Sequence, residues 1–417
     1  MTRSARTYTL LFGCYSLAQF FIAPIYPLFL LSRGLDLLQI NLVLATYLLT
    51  VFAFDVPTGA VADVVVRKPS FVLGCVVRMA AYALYTLARG FRDCLLAEFL
   101  DAVGTTLVSG ALEAWAVDAV RADGAEGPMD ALFSRASVVG RTLMIAGGVA
   151  SGYLAEVSFT LPWLVAAALF GLTAALGGVL MRERRRPAPP TRARAALGRT
   201  ALDGLKAVRA APVLVLLCAL SLASAFAAFP MHMLWQPRLE ALAGQSLHLM
   251  GWIVALLNVA SLVGSAVLPR LLVRSSREIL LCAAALWRAA TVAVLATATT
   301  LWPAVAGLVL QEVAFGLSDP LTMAWTNEHV TSTERATVLS VRSTFVTFGG
   351  AAGLASIGLV ARRFGLPVAF GVSAGLFALV APGFLVLGRV ARRVAVGDVE
   401  AEAIAPVSTK VSPTALG

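Results

Sequence analysis

Charge is what this 417-residue chain has least of: Asp, Glu, Lys and Arg make up 13% of it, against 59% apolar residues. With a mean hydropathy of +0.84, so little charge excludes a water-soluble domain. Histidine is rarer still. His232, His248 and His329 lie far apart in sequence, which argues against a histidine-cluster metalloenzyme. The five cysteines (Cys14, Cys75, Cys94, Cys218, Cys282) have no metal-ligand or redox spacing and read as buried thiols. No Gly-x-x-x-x-Gly-Lys-Ser/Thr loop occurs, so an ATP-driven pump is disfavoured, and no motif calls for a cofactor or metal.

What the chain does have is long apolar runs. Twelve of them stand at 8–31, 39–62, 70–88, 93–117, 131–155, 161–181, 212–235, 247–269, 278–299, 302–325, 336–361 and 366–389. Each is about as long as a helix rising ~1.5 Å per residue needs to cross ~30 Å of hydrocarbon. With the N-terminus inside, 22 of the 33 Arg and Lys fall in inner segments and 6 in outer ones. That bias predicts a multi-pass protein of the cytoplasmic membrane with both termini cytoplasmic. The net charge of +10 then reflects topology and attraction to anionic lipid, and no nucleic acid is expected.

The longest hydrophilic segment, RERRRPAPPTRARAALGRTALDGLKAVRAAP from Arg182, divides the chain. The expected organisation is a six-helix bundle over 1–181, a basic cytoplasmic linker over 182–211, a second bundle over 212–389 and a tail over 390–417. The halves resemble each other in order. Arg135-Ala136-Ser137-Val138 recurs as Arg335-Ala336-Thr337-Val338, and Gly147-Gly148 as Gly349-Gly350. Leu161-Pro162 recurs as Leu366-Pro367, Ala114-Trp115 as Ala324-Trp325, and Arg78 has its echo in Arg288. Parallel six-helix repeats are a main plan of membrane transporters.

Between the second and third spans lies DVPTGAVADVVVRK, from Asp55 to Lys68. Its Gly59, Asp63, Arg67 and Lys68 resemble the Gly-x-x-x-Asp-Arg-x-Gly-Arg-Lys signature of the major facilitator superfamily. Val64 and Val66 replace the usual basic residue and glycine. The turn SGALEAWAVD (Ser109–Asp118) is similar to that of a bacterial subgroup of drug and metabolite exporters. The resemblance implies an all-α fold of twelve helices in two pseudo-symmetric bundles, working by alternating access. It also implies that Asp63 latches the inner side against the start of the eleventh span, where Thr331-Ser332-Thr333-Glu334 reads as a capping box and Arg335 could add a salt bridge. The counterpart loop from Gly264, GSAVLPRLLVR, keeps the glycine and basic residues and lacks the acid.

An ionisable side chain at a helix centre costs ~2.5–3.5 kcal/mol even on the mildest scale, so charges inside the spans mark partners or a wet cavity. Glu98 and Asp101, three residues apart, share a face of the fourth span, and one of them could carry a proton. Asp101 corresponds to Gln311 in the second half, so the acids break the repeat that the arginines keep. Glu98, Asp101, Arg141, Arg288, Glu312 and Asp319 are therefore candidates for coupling or substrate binding, with Tyr15, Gln19, Asn258 and Gln311 as polar pore-facing positions. Arg78 and Arg288 recur in both halves, as approximately do Arg141 and Arg342, and a charge that the symmetry requires twice also reads as structural. Glu113 and Asp118 read as gate partners of Arg121 or Arg135. Trp163, Trp235, Trp252 and Trp302 read as an aromatic interface belt.

The resemblance implies a non-enzymatic secondary transporter, monomeric, moving a small molecule with the proton as coupling ion. Efflux of an amphipathic drug or metabolite by antiport is the expectation. Uptake or facilitated passage of a small solute or anion, or a transporter-like sensor without flux, stand as alternatives. Neither proton-antiport signature of the family is present: the fourth span has acids and no Arg, and the fifth has glycines without the Gly-Pro pair.

Overall fold

Long apolar runs in hydrocarbon leave the backbone one economical way to satisfy its N–H and C=O groups, which is to close them within helices. The computed structural model of the protein is helical accordingly, and no strand occurs among its described residues. It describes residues 2–64, 67–124, 129–182, 208–209, 211–244, 246–328 and 335–404, with the side chains of 56–64, 335–337 and 395–404 excepted.

The first set of helices comprises α1 (Arg3–Phe20), α2 (Tyr26–Ser32), α3 (Leu37–Val64), α4 (Arg67–Leu87), α5 (Phe91–Val108), α6 (Ala111–Ala122), α7 (Met129–Val157) and α8 (Leu161–Leu180). The second comprises α9 (Pro212–Ala228), α10 (Met231–Ala243), α11 (Leu247–Leu272), α12 (Arg277–Thr297), α13 (Leu301–Glu328), α14 (Arg335–Phe364) and α15 (Leu366–Ile404). Eleven stretches of the described residues are long and apolar enough to cross a membrane. The remaining predicted span, 8–31, is shared between α1 and α2.

Three spans read from the sequence as single helices are broken. The first is interrupted at 21–25. The fourth breaks at Ser109–Gly110, where Gly110 adopts φ +70°, a left-handed conformation that a Cβ disfavours. The seventh breaks at Phe229–Pro230, where proline has no N–H for the helical ladder, and then runs on as α10 well past the predicted end. The gap between the second and third predicted spans, 63–69, is also shorter than expected, since α3 stays helical to Val64 and α4 opens at Arg67.

The repeat is visible in the packing. α1 lies on α7 and α8 as α9 lies on α14 and α15; α3 lies on α5 as α11 on α13; α4 lies on α5 and α8 as α12 on α13 and α15. The two sets meet along α3 with α14 and along α7 with α11. We call the end where α1 starts, α8 stops and α9 starts proximal, and the opposite end distal. At the distal end one apolar cluster runs through both sets, from Phe29, Tyr85 and Trp163 to Leu234, Leu295 and Phe370. At the proximal end each set has its own cluster, around Phe71 and Trp115 in the first and around Leu281 and Trp325 in the second. The sets are thus joined distally and separately packed proximally.

Two of the tryptophans read as an interface belt are core instead: Trp163 is fully buried and Trp235 nearly so, whereas Trp252 and Trp302 are exposed. Trp163 packs on Tyr85 with ring centroids 4.2 Å apart and on Phe29 at 4.8 Å, an aromatic nucleus beneath the distal loops.

Candidate functional site

In the first set, α4 sends the Arg78 side chain inward to a site that is 1% exposed. A buried guanidinium needs both a counter-charge and partners for its fork of donors. Asp101 on α5 supplies the charge, accepting from Nε at 2.7 Å and from Nη2 at 3.1 Å. Nη1 donates to the Tyr15 hydroxyl at 2.6 Å and to Gln19 Oε1 at 3.0 Å, both on α1. Phe170 of α8 closes the site, its ring centroid 4.6 Å from the guanidinium carbon. Arg78 is therefore the neutralised structural charge expected of it, and Asp101, Tyr15 and Gln19 form its cage.

One turn from Asp101, Glu98 is also buried, and its company is different. The Tyr85 hydroxyl donates to Oε2, and Tyr26 at the head of α2 also bonds to it. The two tyrosine hydroxyls lie 3.3 Å apart. Among the described residues no cation lies within ion-pairing distance of Glu98; Arg78 is turned to Asp101. The acids that sequence placed on one face thus differ in kind: one is paired with a cation and the other is held by hydroxyls.

The second set repeats the cage without its acid. Arg288 of α12 is buried, and its guanidinium lies 4.1 Å from the Phe377 centroid of α15, as Arg78 lies on Phe170. Phe315 of α13 stands at 5.7 Å. Glu312, half-buried, and Asp319, exposed, are near enough to act on Arg288 electrostatically, but neither forms an ion pair with it. Arg342, matched by the repeat to Arg141, is anchored inside the second set: Nε donates to Ser221 Oγ at 3.1 Å and Nη1 lies 2.8 Å from the Met323 sulfur.

Among the described residues Arg141 has no such anchor. It is exposed on α7, on the helix face that carries Gly148 and Gly152 to the crossing with α11. At that crossing a Cβ on Gly251 would lie 2.7 Å from the Gly148 carbonyl oxygen, and one on Gly152 would lie 2.9 Å from that of Leu247, so only glycine permits the approach. Seven residues to the proximal side, about 10 Å along each helix, stand Arg141 on α7 and Asn258 on α11. Asn258 is half-buried and donates to the Val254 carbonyl at 2.8 Å. Both face the space between the sets, just below the point where they touch.

Four side-chain contacts join the two sets at the distal end. Arg362 Nε pairs with Asp36 Oδ2 at 3.3 Å, and His248 Nδ1 meets Glu156 Oε1 at 2.8 Å. Trp252 donates to the Tyr153 hydroxyl at 3.2 Å, and Gln236 to the Ala23 carbonyl at 3.1 Å. None of these pairings was anticipated from the sequence, where Trp252 stood only as a belt residue. Asp36, Arg362, Glu156 and His248 sit at loop edges, where charge is ordinary, and only the crossing of the sets makes them partners.

At the proximal end the predicted gate is in part rearranged. Asp118 does not pair with Arg121 or Arg135; it takes Arg67, which also donates to the Ala114 carbonyl, so the contact lies within the first set. Arg67 heads α4 and reaches α6 because both helices start at the same level. Glu113 is half-buried on α6 close to Tyr8, Lys68 is half-buried, and Arg135 is exposed on α7. Gly59, Asp63 and Arg335 have side chains outside the described residues, and the predicted capping box at 331–334 lies outside them altogether.

Residues 3–319 match the sequence profile of the family described as "Sugar-transporters, 12 TM", and residues 237–414 match that of the Major Facilitator Superfamily. An uncharacterized MFS-type transporter, YxaM of Bacillus subtilis (strain 168), is 28% identical over 154 residues, which is 37% of this chain and 38% of that protein. The match therefore spans well under half the length of that relative. The fold is also that of solved transporters. The nucleoside transporter NupG superposes with a TM-score of 0.75 at 15% identity, covering 93% of this chain and 99% of that one. A bacterial homolog of the human lysosomal transporter Spinster gives 0.74 at 14%, covering 93% and 96%. The POT family transporter PepTSo gives 0.71 at 12%, covering 93% and 98%. With a profile matched over most of its length and this fold, the chain belongs to the major facilitator superfamily and is a multi-pass membrane transporter, not an enzyme.

Proposed function

We propose that the protein is a proton-coupled exporter of small amphipathic compounds, with Glu98 as the proton carrier. One observation carries this reading: Glu98 is a buried acid with no ion-pair partner among the described residues, held by Tyr85 and Tyr26, next to an Asp101 already neutralised by Arg78. An acid in that position is comfortable with a proton and costly without one, unless water or a partner reaches it. Tyr26 follows the break in the first span, where movement of α2 against α1 can open a path to Glu98.

The Arg and Lys bias makes the proximal end cytoplasmic, so the conformation joined at its distal end is the inward-facing one. Cargo enters between the sets near Arg141 and Asn258, the distal contacts part, and the sets rock to open outward. On that side of the cycle Gly59, Asp63 and Arg335 close the inner gate, with Arg67, Asp118, Glu113, Lys68 and Arg135 around it. The working unit is one chain in the cytoplasmic membrane. The proteins of similar fold are named for nucleosides and for peptides, so fold alone selects no cargo.

Everted membrane vesicles test the proposal. An imposed proton gradient, acid inside, should drive accumulation of a fluorescent amphipathic dye by the wild-type protein and not by Glu98→Gln. Equal accumulation by the variant, or dye movement only in the opposite sense, removes the proposal.

A further inference from the structure

The two guanidiniums of the repeat have unequal partners. Each is buried, and each lies on a phenylalanine from the last helix of its set, at 4.6 Å for Arg78 on Phe170 and 4.1 Å for Arg288 on Phe377. Arg78 is completed by a carboxylate from the neighbouring helix. At the matching place the second set has Gln311, which is 5% exposed and whose Oε1 has no hydrogen-bond partner. Arg288 is 7% exposed, its Nε has no hydrogen-bond partner, and no ion pair reaches it among the described residues. A fork of donors in a low-dielectric aromatic setting is strongly selective for a planar anion.

We propose that Arg288 binds the carboxylate of the cargo, so that the transported compounds are aromatic or otherwise apolar monocarboxylates. The cargo's carboxylate would complete in the second set the arrangement that Asp101 completes in the first. Phe377 and Phe315 offer faces for an apolar body. His232 of α10 is close enough to Arg288 to feel its charge and has its ring against Phe229. Glu312 and Asp319 act on the same guanidinium, and their negative charge favours a cargo with one charge over a dianion such as a phosphate monoester. The identity of this group as cargo rests on the transport reading above. The binding chemistry rests on Arg288 alone.

The test therefore reads binding and not flux. The full chain in zwitterionic lipid nanodiscs is titrated with 2-naphthoate and with 2-naphthamide, which share a ring system and differ in charge, and the melting temperature is followed. The naphthoate should raise it saturably and the naphthamide should not. Arg288→Gln should weaken the response at least tenfold. Gln311→Asp supplies the internal carboxylate that Asp101 supplies to Arg78, and should raise the resting melting temperature while abolishing the response. Glu312→Gln, which removes a rival acid, should retain or tighten binding. A wild-type protein that does not distinguish the two probes overturns the proposal. So does an Arg288→Gln or Gln311→Asp variant that responds like wild type, or a response lost only in Glu312→Gln. None of these readings depends on protons or on Glu98, so a failure of the exporter proposal leaves them interpretable.

Discussion

Arg78 holds both carboxylate oxygens of Asp101, at 2.7 and 3.1 Å, in a site closed to solvent by Tyr15, Tyr82 and Phe170. Removing one partner of such a pair strands a buried charge, while removing both removes the problem. Asp101→Asn and Arg78→Met should each lower stability by about 3–5 kcal/mol. The double variant Arg78→Met/Asp101→Asn should lose less than the sum of the singles. Thermal unfolding of the four purified proteins in detergent measures the cycle. Additive losses would mean that the two residues do not act as a pair.

Glu98 should behave differently. In Glu98→Gln the amide oxygen can still accept from Tyr85, so the fold should be kept, with a melting temperature within a few degrees of wild type. Tyr85→Phe removes the donor to a buried acid and should cost about 1–3 kcal/mol. A Glu98→Gln protein as damaged as Asp101→Asn would assign Glu98 a structural role.

The second prediction shows what sequence could and could not convey. The twelve spans, the repeat and the inward charges were legible because hydrocarbon imposes length, and because a charge in an apolar run has few explanations. That Arg78 is structural followed from its recurrence as Arg288. What was not legible was the difference in partners, because Asp101 and Glu98 share a helix face and only packing shows which of them meets Arg78. The breaks at Gly110 and Pro230 carry local signals, yet apolar continuity on both sides masked them. Trp163 read as a belt residue because it starts a span, and it became core because α2 and the end of α4 fold over it. The distal contacts between Asp36 and Arg362 and between Glu156 and His248 join residues far apart in the chain, which no spacing rule reaches.

Those distal contacts should be state-dependent. In a background with Cys14, Cys75, Cys94, Cys218 and Cys282 replaced, the pair Asp36→Cys/Arg362→Cys should be joined by a short bifunctional thiol reagent in resting membranes. The cross-link should stop transport, and a reducible version should restore it. A cross-linked protein that transports at the wild-type rate would show that this end does not open.

Gly251 sets how closely α7 and α11 approach. Gly251→Val places methyl groups against the Gly148 carbonyl and the Val149 backbone, where neither can give way. The variant should fold, resist distal closure and show raised thiol-reagent labelling of a cysteine placed at Asn258 from the distal side. Unchanged labelling from both sides would argue against a moving contact.

The central claim is that solute and proton movements are linked through Glu98. Proteoliposomes holding a pH-sensitive dye, given a gradient of the transported amphipathic compound and no proton gradient, test this most directly. The wild-type protein should move protons against the solute, and Glu98→Gln should move none while still binding the compound. Proton movement by Glu98→Gln at the wild-type rate, or solute movement by the wild-type protein without protons, would contradict the account.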